Sequence, residues 1–217
     1  MTKPALSVGL LLLLAACSFG PGNLQIRQST DVAERKIRRI AVIPPATTAA
    51  QARAPFSAPA PAETKVTERE APVLLAKLVY SALNSYSNWQ IVSEDEVREV
   101  AETLPPGDES ARLKLIGELV YADAVISGRI VRFRERVGDP WGAKSPASVA
   151  FNLDLIDVRR GDIAWSARFD ETQKSLSENL FLLGDIGQRG VRWLSAEQLT
   201  QEGVRKTVGQ LHQLIAR

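Results

Sequence analysis

The apolar positions of this chain change period several times, and each change marks an element. Ala147–Val158 alternates, with Val149, Phe151, Leu153 and Leu155 separated by polar partners, and a period of two returns in Ile163, Trp165, Ala167 and Phe169. The turn between them, Arg159-Arg160-Gly161-Asp162, is short and contains glycine, so the two runs predict a β-hairpin. Upstream, Val73, Leu74, Leu75, Leu78, Val79, Ala82 and Leu83 stand at helical spacing, which predicts a helix over Val73–Tyr86 with Pro72 at a first-turn position. Ile37–Ile43 is a β-branched run closed by Pro44-Pro45, and Trp89–Val92 is a second short apolar run; both predict strands.

Ser93-Glu94-Asp95-Glu96 matches a capping box, in which the serine oxygen takes a backbone amide and Glu96 reaches back. Its acids also suit the positive end of a helix over Glu94–Thr103, so they are structural carboxylates rather than an acid/base pair. A second helix spans Glu109–Val120, with Leu113, Ile116, Leu119 and Val120 on one face. Tyr121–Phe133 turns to strand, and Gly128 inside it implies a bulge or a close backbone approach. Ser195 opens a last helix whose stripe of Leu199, Val204, Val208, Leu211 and Ile215 closes the core. Between hairpin and last helix, Leu176 and Leu180–Leu183 form either a segment packed over the sheet or a partner-facing or membrane-touching patch, in which Leu180 and Phe181 are the candidate contacts.

The first residues follow another logic. Lys3 precedes an uncharged run from Ala5 to Ala16, the profile of an export signal. A membrane-spanning helix needs about 20 apolar residues, so the run is too short for a permanent span. It ends in Leu14-Ala15-Ala16-Cys17, which resembles the lipobox of bacterial lipoproteins. That resemblance implies removal of residues 1–16 as a signal peptide and acylation of Cys17. Three acyl chains hold a protein far more firmly than the marginal binding of one. Ser18 stands where an inner-membrane retention signal has aspartate, which points to the outer membrane, facing the periplasm. Residues 17–36 then read as the lipidated cysteine and a flexible tether, and 37–217 as a single domain.

Within that domain, 46–67 is rich in Ala, Pro and Thr and poor in large apolar side chains. Such a segment cannot offset its ordering entropy by burial, so it reads as a long loop, with Phe56 as its one candidate anchor for a partner.

Composition narrows the function. The chain has 217 residues, 45% of them hydrophobic, enough for a real core. Cys17 is the only cysteine, so an exported form has no disulfide to lean on. A net charge of +2 lacks the basic surplus that nucleic-acid binding requires, and Arg35–Arg39 reads as a solvated flank of the first strand, with an anionic-lipid contact as the alternative. His212 is the only histidine and reads as a surface or helix-dipole residue. No second histidine or free thiol is present to build a metal site or a nucleophile pair, and there is no glycine-rich phosphate cradle. No metal, cofactor or enzymatic activity is expected.

Three phrases, IAVIPP (Ile40–Pro45), YADAVISGRI (Tyr121–Ile130) and FNLDLIDVRRGDIAW (Phe151–Trp165), together resemble the bacterial envelope superfamily of the curli-secretion lipoprotein, the lipoprotein activators of penicillin-binding proteins, and the amino-terminal domain of the Tol propeller protein. The resemblance implies an α/β (α+β) fold with one mixed sheet of about five strands and helices packed on it. It implies a non-catalytic binding or assembly factor, anchored in the membrane through Cys17, whose partner is an envelope protein or further copies of itself. A subunit of an oligomeric secretion channel is the alternative, and a glycan hydrolase using paired carboxylates is a third reading. The channel relatives carry two long alternating insertions. Gly138–Pro146 is too short for one, and Glu171–Val191 lacks clean alternation over the about 9 to 11 residues a spanning strand needs.

Overall fold

The structure is a computed structural model that describes residues 23–45, 66–173 and 193–215. Its elements are β1 (Leu24–Gln28), a 3-10 turn (Val32–Glu34), β2 (Arg39–Val42), α1 (Ala71–Asn84), β3 (Gln90–Ile91), α2 (Glu94–Thr103), α3 (Glu109–Leu119), β4 (Ala124–Arg134), β5 (Val137–Asp139), β6 (Gly142–Ser145), β7 (Ser148–Asp157), β8 (Ile163–Thr172) and α4 (Ala196–Ile215). Six strands form one mixed sheet in the order β1-β8-β7-β4-β2-β3, and β5 and β6 make a separate hairpin. The α/β expectation holds.

The sixth strand comes from the expected tether. Leu24–Gln28 pairs antiparallel with β8, Leu24 opposite Phe169 and Gln28 opposite Trp165, and Val32 behind it is buried. The flexible stretch read over 17–36 is therefore folded from Leu24 on. Its alternating Leu24 and Ile26 pack on the core side of the sheet edge, and five residues were too few for the period to stand out.

Alternation in the hairpin sends Phe151, Leu153, Leu155, Trp165 and Phe169 into the main core, where α1 and α4 cover them. Ile163 breaks the expectation and is 58% exposed. The register shifts between Leu155, opposite Trp165, and Ile156, opposite Ile163, so the pleat parity changes and Ile163 leaves the Trp165 face. On the other side of the sheet α2 packs over β2, and α3 packs over the ends of β4 and β7, around a smaller core of Ala41, Val97, Ile116, Val125 and Val158. Leu119, expected on that face, is 48% exposed. Gly117 takes the contact instead: a Cβ there would lie 2.4 Å from Val158 Cγ2 and 2.8 Å from Val125 Cγ2. The missing side chain lets α3 sit flat on the sheet at that point.

Gly128 shows the close approach rather than the bulge. Its Cβ position lies 3.2 Å from both Leu75 Cδ2 of α1 and Leu153 Cδ2 of β7, while the irregularity in β4 falls between Ile130 and Arg132. β2 runs parallel to β4 only as far as Ile126, with Ile43 N–H donating to the Ile126 carbonyl at 2.9 Å. The next residue aimed at β4 is Pro45, which has no N–H to continue the ladder.

Helix caps follow the sequence with one correction. The box at Ser195 is complete: Gln198 N–H donates to Ser195 Oγ at 3.1 Å, and Ser195 N–H donates to Gln198 Oε1 at 3.0 Å. At Ser93 only half forms, with Glu96 N–H donating to Oγ at 3.3 Å. The Glu96 carboxylate turns instead to Arg39, 3.5 Å away.

Candidate interaction surface

The residues singled out from sequence, Cys17 with Leu14, Ala15 and Ala16, Phe56, and Leu180 with Phe181, lie outside the described residues. The site has to be built from what the sheet presents.

Every second residue of β1, β8, β7 and β4 points away from the main core. Register lines these residues up across the strands: Gln25, Arg168, Asn152 and Arg129 form one row, and Arg27, Ser166, Asp154 and Ser127 the next. Toward the other end of the strands, Arg132 stands level with Ala150 and Asp170, and Arg134 with Ser148 and Thr172. Among the described residues no helix packs on these rows, since α3 meets β4 and β7 only near Val125 and Val158 and α2 lies over β2. β1, β8, β7 and β4 pair antiparallel, an arrangement that commonly leaves one face to water; on this face Gln25, Arg27, Arg129, Arg134 and Arg168 are exposed, while Ala150 and Ser148 are buried.

Its charge is mostly arginine. Arg132 binds Asp170, Ser148 Oγ at 2.7 Å lies on its Nε, and Arg168 reaches Asp170 at 3.3 Å. Burial works against the Asp170 charge, but the hydrogen bonds from Arg132 and then Arg168 win and hold its carboxyl below the ordinary range. Asp154 accepts from the Ser166 hydroxyl. Arg129 is 71% exposed and comes no nearer than 3.4 Å to Glu109 of α3. Asn152 Oδ1, in the middle of the face, has no hydrogen-bond partner among the described residues. The hairpin sequence carried these positions only as the polar half of an alternation, and the fact that they stay uncovered depends on where the helices end.

A second polar cluster is structural. Arg35, expected in a solvated flank, is buried. Its guanidinium takes Asp162 through both nitrogens, Asp31 at 3.0 Å and Asp157 at 3.4 Å. Arg160 also binds Asp31, and Arg159 donates to the Arg35 carbonyl at 3.3 Å. The β7–β8 turn, which needs the left-handed Gly161 at φ 72°, is thereby tied to the 3-10 turn. The guanidinium of Arg35 holds the carboxyls of Asp31 and Asp162 below the usual range, and the hydrogen bonds Arg35 donates to Asp162 raise Arg35 itself further. With every carboxylate committed to an arginine, this cluster offers no acid or base.

His212 does not stand alone on the surface. Its ring stacks on Tyr86 at 3.9 Å, lies edge-on to Trp89 at 5.3 Å, and Nε2 is 3.1 Å from Asn88 Oδ1, so it joins α4 to the end of α1. No group of three or more His, Cys, Asp or Glu among the described residues is placed to hold a metal ion. No described helix is long and apolar enough to cross a membrane.

No protein-family model matches the chain, and no curated protein sequence does. Among solved structures it is similar to the PelC dodecamer from Paraburkholderia phytofirmans, at 16% identity and a TM-score of 0.47, over 89% of this chain and 99% of that one. It is similar to lipoprotein GNA1162 from Neisseria meningitidis, at 12% identity and a TM-score of 0.41, over 69% and 94% of the two chains. It is also similar to the LpoB C-terminal domain from Salmonella enterica, at 14% identity and a TM-score of 0.38, over 63% and 83%.

Proposed function

We propose that this protein is a membrane-anchored envelope lipoprotein that works by binding, as a non-catalytic accessory or assembly factor, with Cys17 as its lipid attachment point and the inner face of the outer membrane as its address. The observation that carries the reading is the spacing between Cys17 and the open face. The first strand of that face begins at Leu24, so a chain of seven steps separates anchor from sheet. Fully extended, it reaches about 25 Å at most. A face held that near a membrane meets its partner in a thin layer, where local concentration makes a modest affinity sufficient.

The exposed chemistry supports binding over turnover. The carboxylates with lowered pKa on the two polar clusters are all paired to arginines, and a general acid needs a carboxyl pushed up instead. Radiolabelled palmitate and membrane fractionation test the anchor: the natural protein incorporates label and sediments with membranes, and Cys17→Ser does neither. Continued labelling of Cys17→Ser would sink the lipoprotein reading. For the binding role, crosslinking in intact envelopes should capture a discrete partner, and capture should fall when Arg129 and Arg168 are both replaced by glutamate.

A further inference from the structure

Resting on the binding role proposed above, we infer that the bare edge of β4 takes an extended segment of an envelope partner, aliphatic and acidic at alternate positions, as an added strand. β2 lies beside β4 only as far as Val42 opposite Ile126, and the Ile126 carbonyl accepts from Ile43 N–H at 2.9 Å. Along a strand the N–H and C=O of every second residue face the same neighbour, so Gly128 and Ile130 aim theirs at the line that β2 has left. Among the described residues no strand stands on that side of either, and Gly128 is exposed. The bare stretch ends at the irregularity between Ile130 and Arg132, where Val131 is 52% exposed, because a bulge interrupts the ladder. Ser127–Val131 is left, about 16 Å of strand.

An apolar notch lies beside this edge. Ile43 and Pro45 after β2, Leu75 and Ala76 of α1, and Gly128 itself line it. About 250 Å³ is free, counted out to its mouth, which seats an aliphatic side chain. A guest strand alternates, so one set of its side chains enters the notch and the other lies on the open face beside β4. There it meets Arg129, which is 71% exposed with only the 3.4 Å contact to Glu109, and Arg134, which is exposed and has no ion pair among the described residues. Arg132 is already committed to Asp170 and Ser148. In such an addition the backbone supplies affinity and the side-chain seats supply selectivity.

Charge decides which guest the edge accepts. Two β4 edges laid together bring arginine against arginine, a like-charge pairing that destabilises a ladder, and charged edges are a common way to keep a sheet from pairing with its own kind. An acidic segment cancels that charge instead. The same two arginines therefore exclude a second copy at this edge and admit a partner of opposite sign.

The test uses the full chain purified in detergent and a fluorescein-labelled peptide of alternating valine and glutamate. The peptide should bind saturably; its counterpart with lysine for glutamate, or with alternate backbone amides N-methylated, should bind about tenfold more weakly or worse. Arg129→Glu with Arg134→Glu should lower affinity for the glutamate peptide roughly tenfold and raise it for the lysine peptide by a similar factor, an exchange of preference that misfolding does not produce. Ala76→Leu, which fills the notch and leaves the charges alone, should weaken the glutamate peptide as well. Hydrogen exchange locates the guest: the Gly128 and Ile130 amides should exchange fast in the free protein and slow on binding, while those of Leu24–Gln28 on the outer edge of the sheet stay unchanged. No saturable binding up to millimolar peptide, equal binding of the N-methylated peptide, or protection at β1 in place of β4 overturns the proposal. So does slow exchange at Gly128 and Ile130 before peptide is added, which would mean that another part of the chain already covers the edge. The measurement needs no membrane, so its failure is distinct from failure of palmitate labelling, which would sink the anchor and leave the edge untouched.

Discussion

Arg35 grips Asp162 through two parallel hydrogen bonds, Nη1 to Oδ1 at 2.6 Å and Nη2 to Oδ2 at 2.8 Å, across 127 positions of sequence. The same guanidinium faces Asp157, whose side chain is 1% exposed. Arg35→Met keeps the bulk and removes the charge. Asp157 retains backbone donors from Arg159 and Arg160, yet its negative charge stays buried without a cation. Breaking a buried pair from one side costs about 3 to 5 kcal/mol, and urea unfolding should show a loss near the lower end of that range.

The pH dependence of stability follows from the same contacts. Asp31 and Asp162 are held low in the folded state by Arg35, and Asp170 by Arg132 and Arg168. A carboxyl with a depressed folded pKa contributes stability that is complete above the unfolded value, near 4, and is lost as pH falls through the folded value. The natural protein should hold its denaturation midpoint from neutral pH down to about pH 5 and lose it steeply below about pH 4. In Arg35→Met that acid limb should be shallower, with the Asp170 part remaining. Equal slopes in the two proteins would show that Arg35 does not set these pKa values.

Two glycines of α4 should respond in opposite directions. A Cβ on Gly203 would stand 2.7 Å from Phe169 Cε1 and 2.9 Å from Phe151 Cε1, and those rings stack at 5.1 Å in the main core. Gly203→Ala should therefore destabilise by about 1 to 3 kcal/mol despite the better helix propensity of alanine. At Gly209 the nearest atom is Tyr86 Oη at 3.6 Å, ordinary contact. Gly209→Ala should stabilise by up to about 1 kcal/mol. Thermal melts of the pair check both signs.

Trp165 is 1% exposed at the centre of the core, and its Nε1 has no partner among the described residues. Trp165→Ala should cost about 3 to 5 kcal/mol. Trp165→Phe removes the unpaired donor together with part of the ring, so it should cost less than about half as much. Chemical denaturation of the two variants separates packing from the unmet hydrogen bond.

Periodicity was enough to find the hairpin, α1, α2, α3 and α4, because each buries a stripe that repeats along the chain itself. It was also enough to name Val149, Phe151, Leu153, Leu155, Trp165, Leu199, Val204 and Leu211 as core, all of them buried. It failed where a neighbour far along the chain decides the state of a residue. β1 is a strand because β8 offers it an edge. Arg35 is buried because Asp157 and Asp162 return to it after more than a hundred residues. Leu119 faces out because Gly117 lets α3 rest flat.

The candidate surface divides the same way. Sequence by itself carries the expectation of a lipidated Cys17, since a leader and lipobox are read as a linear string, and it determined which hairpin positions are polar. Only the tertiary structure decided that Arg27, Arg129 and Arg168 share one open face and that the acidic helix α2 lies on the same side at the other end of the sheet. A strand alternates regardless of context, but whether its polar half meets solvent, a helix or another molecule depends on where the covering helices stop, and that is set by packing between segments distant in sequence.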